Sequence, residues 1–271
     1  MKVVCETCPH ACALEVGQTG LCGVRAHVEG AVKCVGYGRV SALALDPIEK
    51  KPLRRFMPGS MILSVGGFGC NMRCAFCQNH EISMAKPDLH APQISPEKLV
   101  ARARAIPNNS GLAYTYNEPL VCWEYVRDCA KGIREAGMKN VLVTNGMANL
   151  PVLEEILPHI DAMNVDLKGF SKAYYEWLGG DFDAVRRLIR RAAEACHVEL
   201  TTLIVPGRND AECEMEQEAD WIASIDPEIP LHITRYFPMF RESAPPTPGK
   251  TIERLAAAAQ RRLRYVYAGN V

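Results

Sequence analysis

MILSVGGFGCNMRCAFCQN, residues 61–79, decides the fold. An apolar, partly β-branched run, Met61 to Val65, ends in Gly66-Gly67 and is followed at once by Cys70, Cys74 and Cys77. That order predicts a buried strand delivering reactive side chains to its C-terminal end. The thiols are spaced C-x3-C-x2-C. Three thiols on one loop can converge on one metal centre. A zinc site closed by protein needs four ligands, and only His80 follows at a normal spacing. An iron–sulfur cube held by three thiolates leaves one iron open for reaction. By themselves the three cysteines also suit a zinc knuckle or reduced core thiols.

Working outward, the chain from Met61 alternates strand and helix signals. The strand candidates are 61–66, 111–116, 140–145, 162–167, 198–205 and 231–237. Ser95-Pro96-Glu97 predicts a helix start, with an N-cap, a proline at the first position and an acid in the first turn. Residues 119–136 carry Leu120, Trp123, Val126, Ala130 and Ile133 at helical steps, and Gly137 stops that helix. Further helices are expected at 152–158, 171–178, 182–195, 211–224 and 251–263. Such alternation implies parallel strands joined by crossovers, hence an α/β fold. Six units predict an open partial (β/α)6 barrel; a doubly wound open sheet fits the pattern as well. The terminal YVYAGNV, 265–271, reads as one more short strand.

Residues 1–58 read as a small cysteine-rich appendage, with 59–271 as the barrel. Cys5, Cys8, Cys12 and Cys22 lie at C-x2-C-x3-C-x9-C, and Gly17, Gly20 and Gly23 surround the fourth. This predicts a second metal site, zinc or a second iron–sulfur cluster. The alternative is free thiols packed against the barrel. One or two short strands are expected over 31–45, and Asp46-Pro47 and Lys51-Pro52 predict a break in regular structure. Cys34, Cys122, Cys129, Cys196 and Cys213 read as small apolar packing residues.

The 31 Lys and Arg balance the 31 Asp and Glu, so the composition makes no case for a nucleic-acid partner or an anionic membrane. Arg186, Arg187, Arg190 and Arg191 read as a solvated helix face. No stretch reaches the apolar length of a membrane span, and the start lacks a signal peptide. Twelve cysteines, seven of them in two metal-like clusters, point to a reducing cytoplasm rather than a disulfide scaffold. An open-iron cluster favours low oxygen.

Barrel reactive groups gather at the C-terminal ends of strands. The candidates there are Asn117 and Glu118, Thr144 and Asn145, Asp166 and Lys168, Gly207 and Asp210, and His232 and Arg235. Each has a bland reading: a strand-end salt bridge for Asp166 and Lys168, a core histidine for His232, a first-turn helix acid for Glu118.

GCNMRCAFCQNHEIS, with Phe76 just before the last cysteine, resembles the CxxxCxΦC motif of radical S-adenosylmethionine (SAM) enzymes. CETCPHAC, DPIEKKPL, TYNEP, VDLKG and PGRND extend the resemblance over nearly the whole chain. They resemble the radical SAM member of the AmmeMemoRadiSam system and the pyruvate formate-lyase activating enzymes. The resemblance implies a (β/α)6 partial barrel and a [4Fe–4S] cluster on Cys70, Cys74 and Cys77. It also implies reductive cleavage of SAM to a 5′-deoxyadenosyl radical that takes a hydrogen atom from substrate. Glu118 and Asn117 would meet the SAM ammonium, although TYNEP departs from the family's GGEP. Lys168, oriented by Asp166, would meet its carboxylate, and Asn145 would join them. His232 would meet the ribose, Asp210 and its loop the adenine, and Phe76 the purine. A flavodoxin or ferredoxin would supply the electron. The substrate stays open between a small molecule, a peptide and a partner protein made into a glycyl radical enzyme. A non-catalytic electron carrier is the reading from another class. Relatives with longer tails carry extra cysteines, and the expectation here is that no such function is present.

Overall fold

The structure, a computed structural model, describes residues 1–87 and 90–270. The N-terminal stretch forms two small antiparallel pairs: β1 (Val3–Val4) with β2 (Ala13–Leu14), and β3 (Arg25–Val28) with β4 (Ala31–Cys34). β5 (Ala42–Pro47) then joins the main sheet, running antiparallel to β6 (Met61–Gly66) with Ala42 opposite Gly66 and Pro47 opposite Met61. After the cysteine loop come α1 (His80–Ser83), α2 (Pro96–Ala105), β7 (Asn109–Tyr114), α3 (Trp123–Glu135) and β8 (Lys139–Thr144). α4 (Leu150–Ile156), β9 (Ala162–Asp166), α5 (Lys172–Trp177), α6 (Phe182–Ala193) and β10 (His197–Ile204) follow. α7 (Glu212–Ala223), β11 (Leu231–Arg235), α8 (Gly249–Ala259) and β12 (Val266–Gly269) complete the order.

The sheet has eight strands in the order β12-β11-β10-β9-β8-β7-β6-β5, all parallel from β6 to β12. It is open, with β5 and β12 at its edges. All six predicted strands are present within one to two residues of their expected bounds. The predicted terminal strand is β12; Val271 lies outside the described residues.

Period-two alternation sorts each strand's residues between two layers. Leu63, Val65, Leu112, Tyr114, Leu142, Met163 and Val165 face the helices and join Leu99, Ile133, Leu153 and Leu188 in the main core. Ile62, Ala113, Val141 and Ala162 face the other way and enclose Ile48 and Leu53, all fully buried. The segment after β5 thus fills the inner side of the curved sheet. Asn164 donates to the Pro52 carbonyl at 2.9 Å, and the buried Glu199 carboxylate accepts from the Arg54 and Arg55 amides at 2.9 and 2.7 Å.

Two expectations need correcting here. Asp46-Pro47 does not break regular structure: it ends an edge strand, where the missing proline N–H costs no inner ladder bond. The boundary at 58/59 does not coincide with the sheet either, because β5 and the Ile48–Phe56 segment are built into the barrel. A third difference concerns the thiols: Cys34 and Cys122, expected as separate packing residues, are joined as a disulfide across 88 residues with Cα atoms 6.0 Å apart. Cys213 is exposed rather than packed, whereas Cys129 is fully buried as expected. No helix among the described residues is long and apolar enough to cross a membrane.

Candidate active site

The cysteine loop leaves β6 through a close passage. Gly69 has φ +84°, and a Cβ there would lie 2.4 Å from the Cys22 carbonyl oxygen, so only glycine fits. Asn117 pins the same stretch: its Oδ1 accepts from the Gly67 amide at 2.9 Å, and its Nδ2 donates to the Phe68 and Gly69 carbonyls at 2.9 and 3.1 Å. Arg73 donates to the Cys70 and Met72 carbonyls, both at 2.8 Å, closing the turn.

Cys70, Cys74 and Cys77 open on one pocket of about 310 Å³. Phe76, Asn117, Glu118, Thr144, Asn145, Asp166, Lys168, Thr201, Leu203, Thr234 and Asn270 share it. The strand ends and the cysteine loop therefore bring six of the eight predicted cofactor contacts and all three cysteines to one mouth, and add Thr201, Leu203 and Thr234. Those additions carry no sequence signal beyond their inward position. All three thiols are free. Burial pushes the Cys74 thiol up to about 11 although the Lys168 ammonium works against it, and burial pushes Cys70 higher still. The protein field alone does not ionise Cys70 or Cys74, so a metal bound there would displace their protons. His80 does not offer a fourth ligand: its Nδ1 is 3.1 Å from the Cys77 carbonyl, and its ring stacks on Phe240 at 4.3 Å.

Glu118 is buried and tightly held. Oε1 accepts from the Thr144 hydroxyl at 2.7 Å and the Leu120 amide at 3.0 Å; Oε2 accepts from the Asn145 amide at 2.7 Å. The carboxylate caps the short turn Pro119–Cys122 and ties it to the end of β8. Burial pushes its pKa up to about 7 against the pull of these donors. Lys168 Nζ lies 2.7 Å from Asp166 Oδ2. Burial pulls the ammonium's pKa down, but the Asp166 carboxylate outweighs it, and Lys168 stays charged. Asn145 Nδ2 donates to Asn71 Oδ1 at 3.0 Å and reaches the Cys70 sulfur at 3.5 Å. Phe76 is buried, its ring 5.9 Å from Trp177 and 6.4 Å from Tyr236.

Two predicted contacts are not at this mouth. His232 is not in the pocket lining although it pairs in register with Thr201, which is; its Nε2 lies 2.6 Å from Glu199 Oε2 and its ring stacks on Tyr267 at 5.2 Å. Thr234, two residues on, takes the place at the pocket. Asp210 is not in the pocket lining, and its carbonyl accepts from Arg254 at 3.0 Å. Its neighbour Asn209 is not in the lining either, but it holds the backbone of Lys168, which is. Asn209 Nδ2 donates to the Lys168 carbonyl at 2.9 Å, while its Oδ1 accepts from the Val205 amide at 2.8 Å. Sequence reasoning also missed Tyr116, which lines the pocket with φ +73°, a strained backbone for tyrosine. Its hydroxyl donates to Asp46 Oδ2 at 2.8 Å, and the buried Lys51 ammonium lies 4.8 Å from its ring.

A curved parallel sheet with three loop thiols and a charged pair at its mouth is the arrangement of a radical SAM domain, and the family model described as the radical SAM superfamily matches residues 64–222. The chain belongs to the radical SAM superfamily, whose members use a [4Fe–4S] cluster and SAM. It is 38% identical over 275 residues to "Uncharacterized protein MJ0808" of Methanocaldococcus jannaschii, covering 100% of this chain and 82% of that one. It is 26% identical over 116 residues to pyruvate formate-lyase 1-activating enzyme of Escherichia coli, covering 41% of this chain and 47% of that enzyme, about half its length. The fold resembles a domain of pyruvate-formate lyase-activating enzyme from Bacteroides vulgatus (TM-score 0.53, 18% identity, 60% of this chain and 100% of that one). It also resembles Streptococcus suis SuiB bound to S-adenosylmethionine (TM-score 0.58, 13% identity, 74% of this chain and 48% of that one).

Proposed function

We propose that this chain cleaves SAM reductively and removes a hydrogen atom from a substrate at the pocket mouth, as part of an AmmeMemoRadiSam-type modification of a small molecule, peptide or protein. The observation that carries the reading is the convergence of Cys70, Cys74 and Cys77 with the Asp166–Lys168 pair on one pocket. Three soft thiol donors without a fourth protein ligand fit a cube with an open iron. The chemistry supplied by cluster and SAM when bound is one-electron reduction of the sulfonium and generation of a 5′-deoxyadenosyl radical.

The chain's own residues hold and orient. Lys168 offers a cation for the SAM carboxylate and Asp166 fixes its ammonium. Asn145 presents an amide beside Cys70. Glu118 and Asn117 shape the wall for the methionine end, and Phe76 offers a face to the purine. At about 310 Å³ the cavity is at the small end of ligand pockets, so with cluster and SAM bound it would leave a substrate to approach from the rim. The electron comes from a small donor protein, a flavodoxin or ferredoxin, in a cytoplasm poor in oxygen.

A second reading, activation of a glycyl radical enzyme, is favoured by the match to the Escherichia coli activating enzyme. A plain electron carrier needs no ligand pocket beside its cluster, and the pocket counts against it. The test is anaerobic reconstitution, reduction with dithionite in the presence of SAM, and chromatography for 5′-deoxyadenosine. Wild type is expected to form it and Cys74→Ala to form none. Equal rates in the two would overturn the cluster assignment.

A further inference from the structure

Cys5, Cys8, Cys12 and Cys22, outside the SAM pocket, come together in the fold. All four are free, and they line one small cavity of about 10 Å³ with Gly20, Leu21 and Val121. Two tight turns present them. The Cys5 amide donates to the Cys12 carbonyl at 2.9 Å, and the Ala11 amide to the Cys8 carbonyl at 3.1 Å, with Ala11 at φ +43°. Gly23, at φ +81°, turns the chain directly after Cys22. The Cys8 sulfur accepts from the His10 amide, and the Cys22 sulfur from the Val24 and Arg25 amides.

This knot is bolted to the loop that carries the other three cysteines. Asn71, next to Cys70, hydrogen-bonds the Cys8 thiol with its side chain, and its carbonyl lies 2.7 Å from His10 Nε2. Asn71 also holds Asn145 and donates to the Met147 carbonyl at 2.5 Å. Arg73 donates to the Leu21 carbonyl, and Asn149 donates to the carbonyls of Thr7 and Glu6 at 3.1 and 2.7 Å.

We propose that Cys5, Cys8, Cys12 and Cys22 bind one zinc ion in a closed four-thiolate site, and that this site positions Cys70 through Asn71. The cavity has room on the order of one small sphere, which suits a single ion, whereas the cluster pocket is about 310 Å³. Four thiolates leave no open position, so the ion is structural. Among the described residues no group of three or more His, Cys, Asp or Glu is already set as the ligands of one ion. To hold one ion the four thiols would have to move from these positions. The zinc site stands apart from the radical chemistry, while its coupling to Cys70 rests on the cluster reading above.

Metal analysis and zinc-edge X-ray absorption on the wild-type protein test it. About one zinc per chain with four sulfurs at about 2.3 Å is expected. Cys5→Ser/Cys8→Ser should lose that zinc and keep the iron of the reconstituted cluster. Asn71→Ala, which leaves every thiol in place, should keep the zinc and shift the electron paramagnetic resonance of the reduced cluster. Absence of zinc, oxygen or nitrogen ligands in the wild-type spectrum, or loss of about four irons rather than zinc from the double variant, would overturn the zinc assignment. An unchanged cluster spectrum in Asn71→Ala would overturn the coupling. The wild-type spectrum decides the first point even if the double variant fails to fold.

Discussion

Replacing Glu118 with alanine separates a clamp from a ligand contact. The carboxylate holds three donors: the Thr144 hydroxyl and the Leu120 and Asn145 amides. Truncation leaves two buried amides without an acceptor, and the hydroxyl can rotate elsewhere. At about 1–3 kcal/mol per orphaned group, the loss is about 2–6 kcal/mol while the carboxyl is protonated. The native pKa, raised from 4.5 to about 7, sets a pH dependence. A raised acid makes the native state bind more protons than the unfolded state between these values, so wild-type stability falls as pH rises through that window. From pH 5.5 to 8 the fall is about 2 kcal/mol, at 1.36 kcal/mol per unit. The variant lacks that slope, so its deficit should be largest near pH 5.5 and smaller at pH 8. Anaerobic urea unfolding of both proteins at the two pH values measures it. Wild-type stability at both pH values, with SAM affinity lost, would show that Glu118 acts on the ligand and not on the fold.

Three further outcomes follow from the same structure. Lys168→Met should weaken SAM binding by about 1–3 kcal/mol, read by calorimetry on cluster-loaded protein, because a charge-assisted partner is lost from a partly buried site; unchanged affinity would remove Lys168 from the ligand's contacts. Although burial pushes Glu199 up, hydrogen bonds from His197, His232 and the Arg54 and Arg55 amides bring its pKa down to about 2. Its stabilisation of about 3 kcal/mol is present above pH 4.5 and lost as pH falls toward 2, so Glu199→Gln should flatten the acid limb of a stability–pH curve. Leu53→Ala should destabilise the whole sheet by about 2–5 kcal/mol in urea, since Leu53 is fully buried on its inner side; a loss confined to residues 1–58 by hydrogen exchange would restore the boundary at 58/59.

The strands were legible because each is an apolar run ending in polar or glycine residues, and Cys70, Asp166 and Lys168 were legible because they stand just past such ends. What pattern does not carry is depth. Period two gives His232 and Thr234 the same face, and nothing in the pattern says that His232 is engaged by the buried Glu199 while Thr234 lines the pocket. Asp210 and Asn209 are adjacent, and the side chain that reaches Lys168 is chosen by the turn after β10. Partners distant in sequence were equally silent: nothing local links Asp46 to Tyr116 or Cys34 to Cys122. Glu118 illustrates the limit from the other side, since it lines the pocket while its donors come from β8 and from its own turn.

The strand order has a consequence for assembly. Every strand from β6 onward lies beside its predecessor, so a chain emerging from the ribosome can add each unit to a finished edge. The last additions are β11 and β12, which bring Thr234 and Asn270 to the pocket. The cysteine loop is thus synthesised well before its far wall, and a nascent chain holds its three thiols with that side of the pocket still unbuilt. A cluster held there before β11 and β12 are in place would be open to solvent on that side.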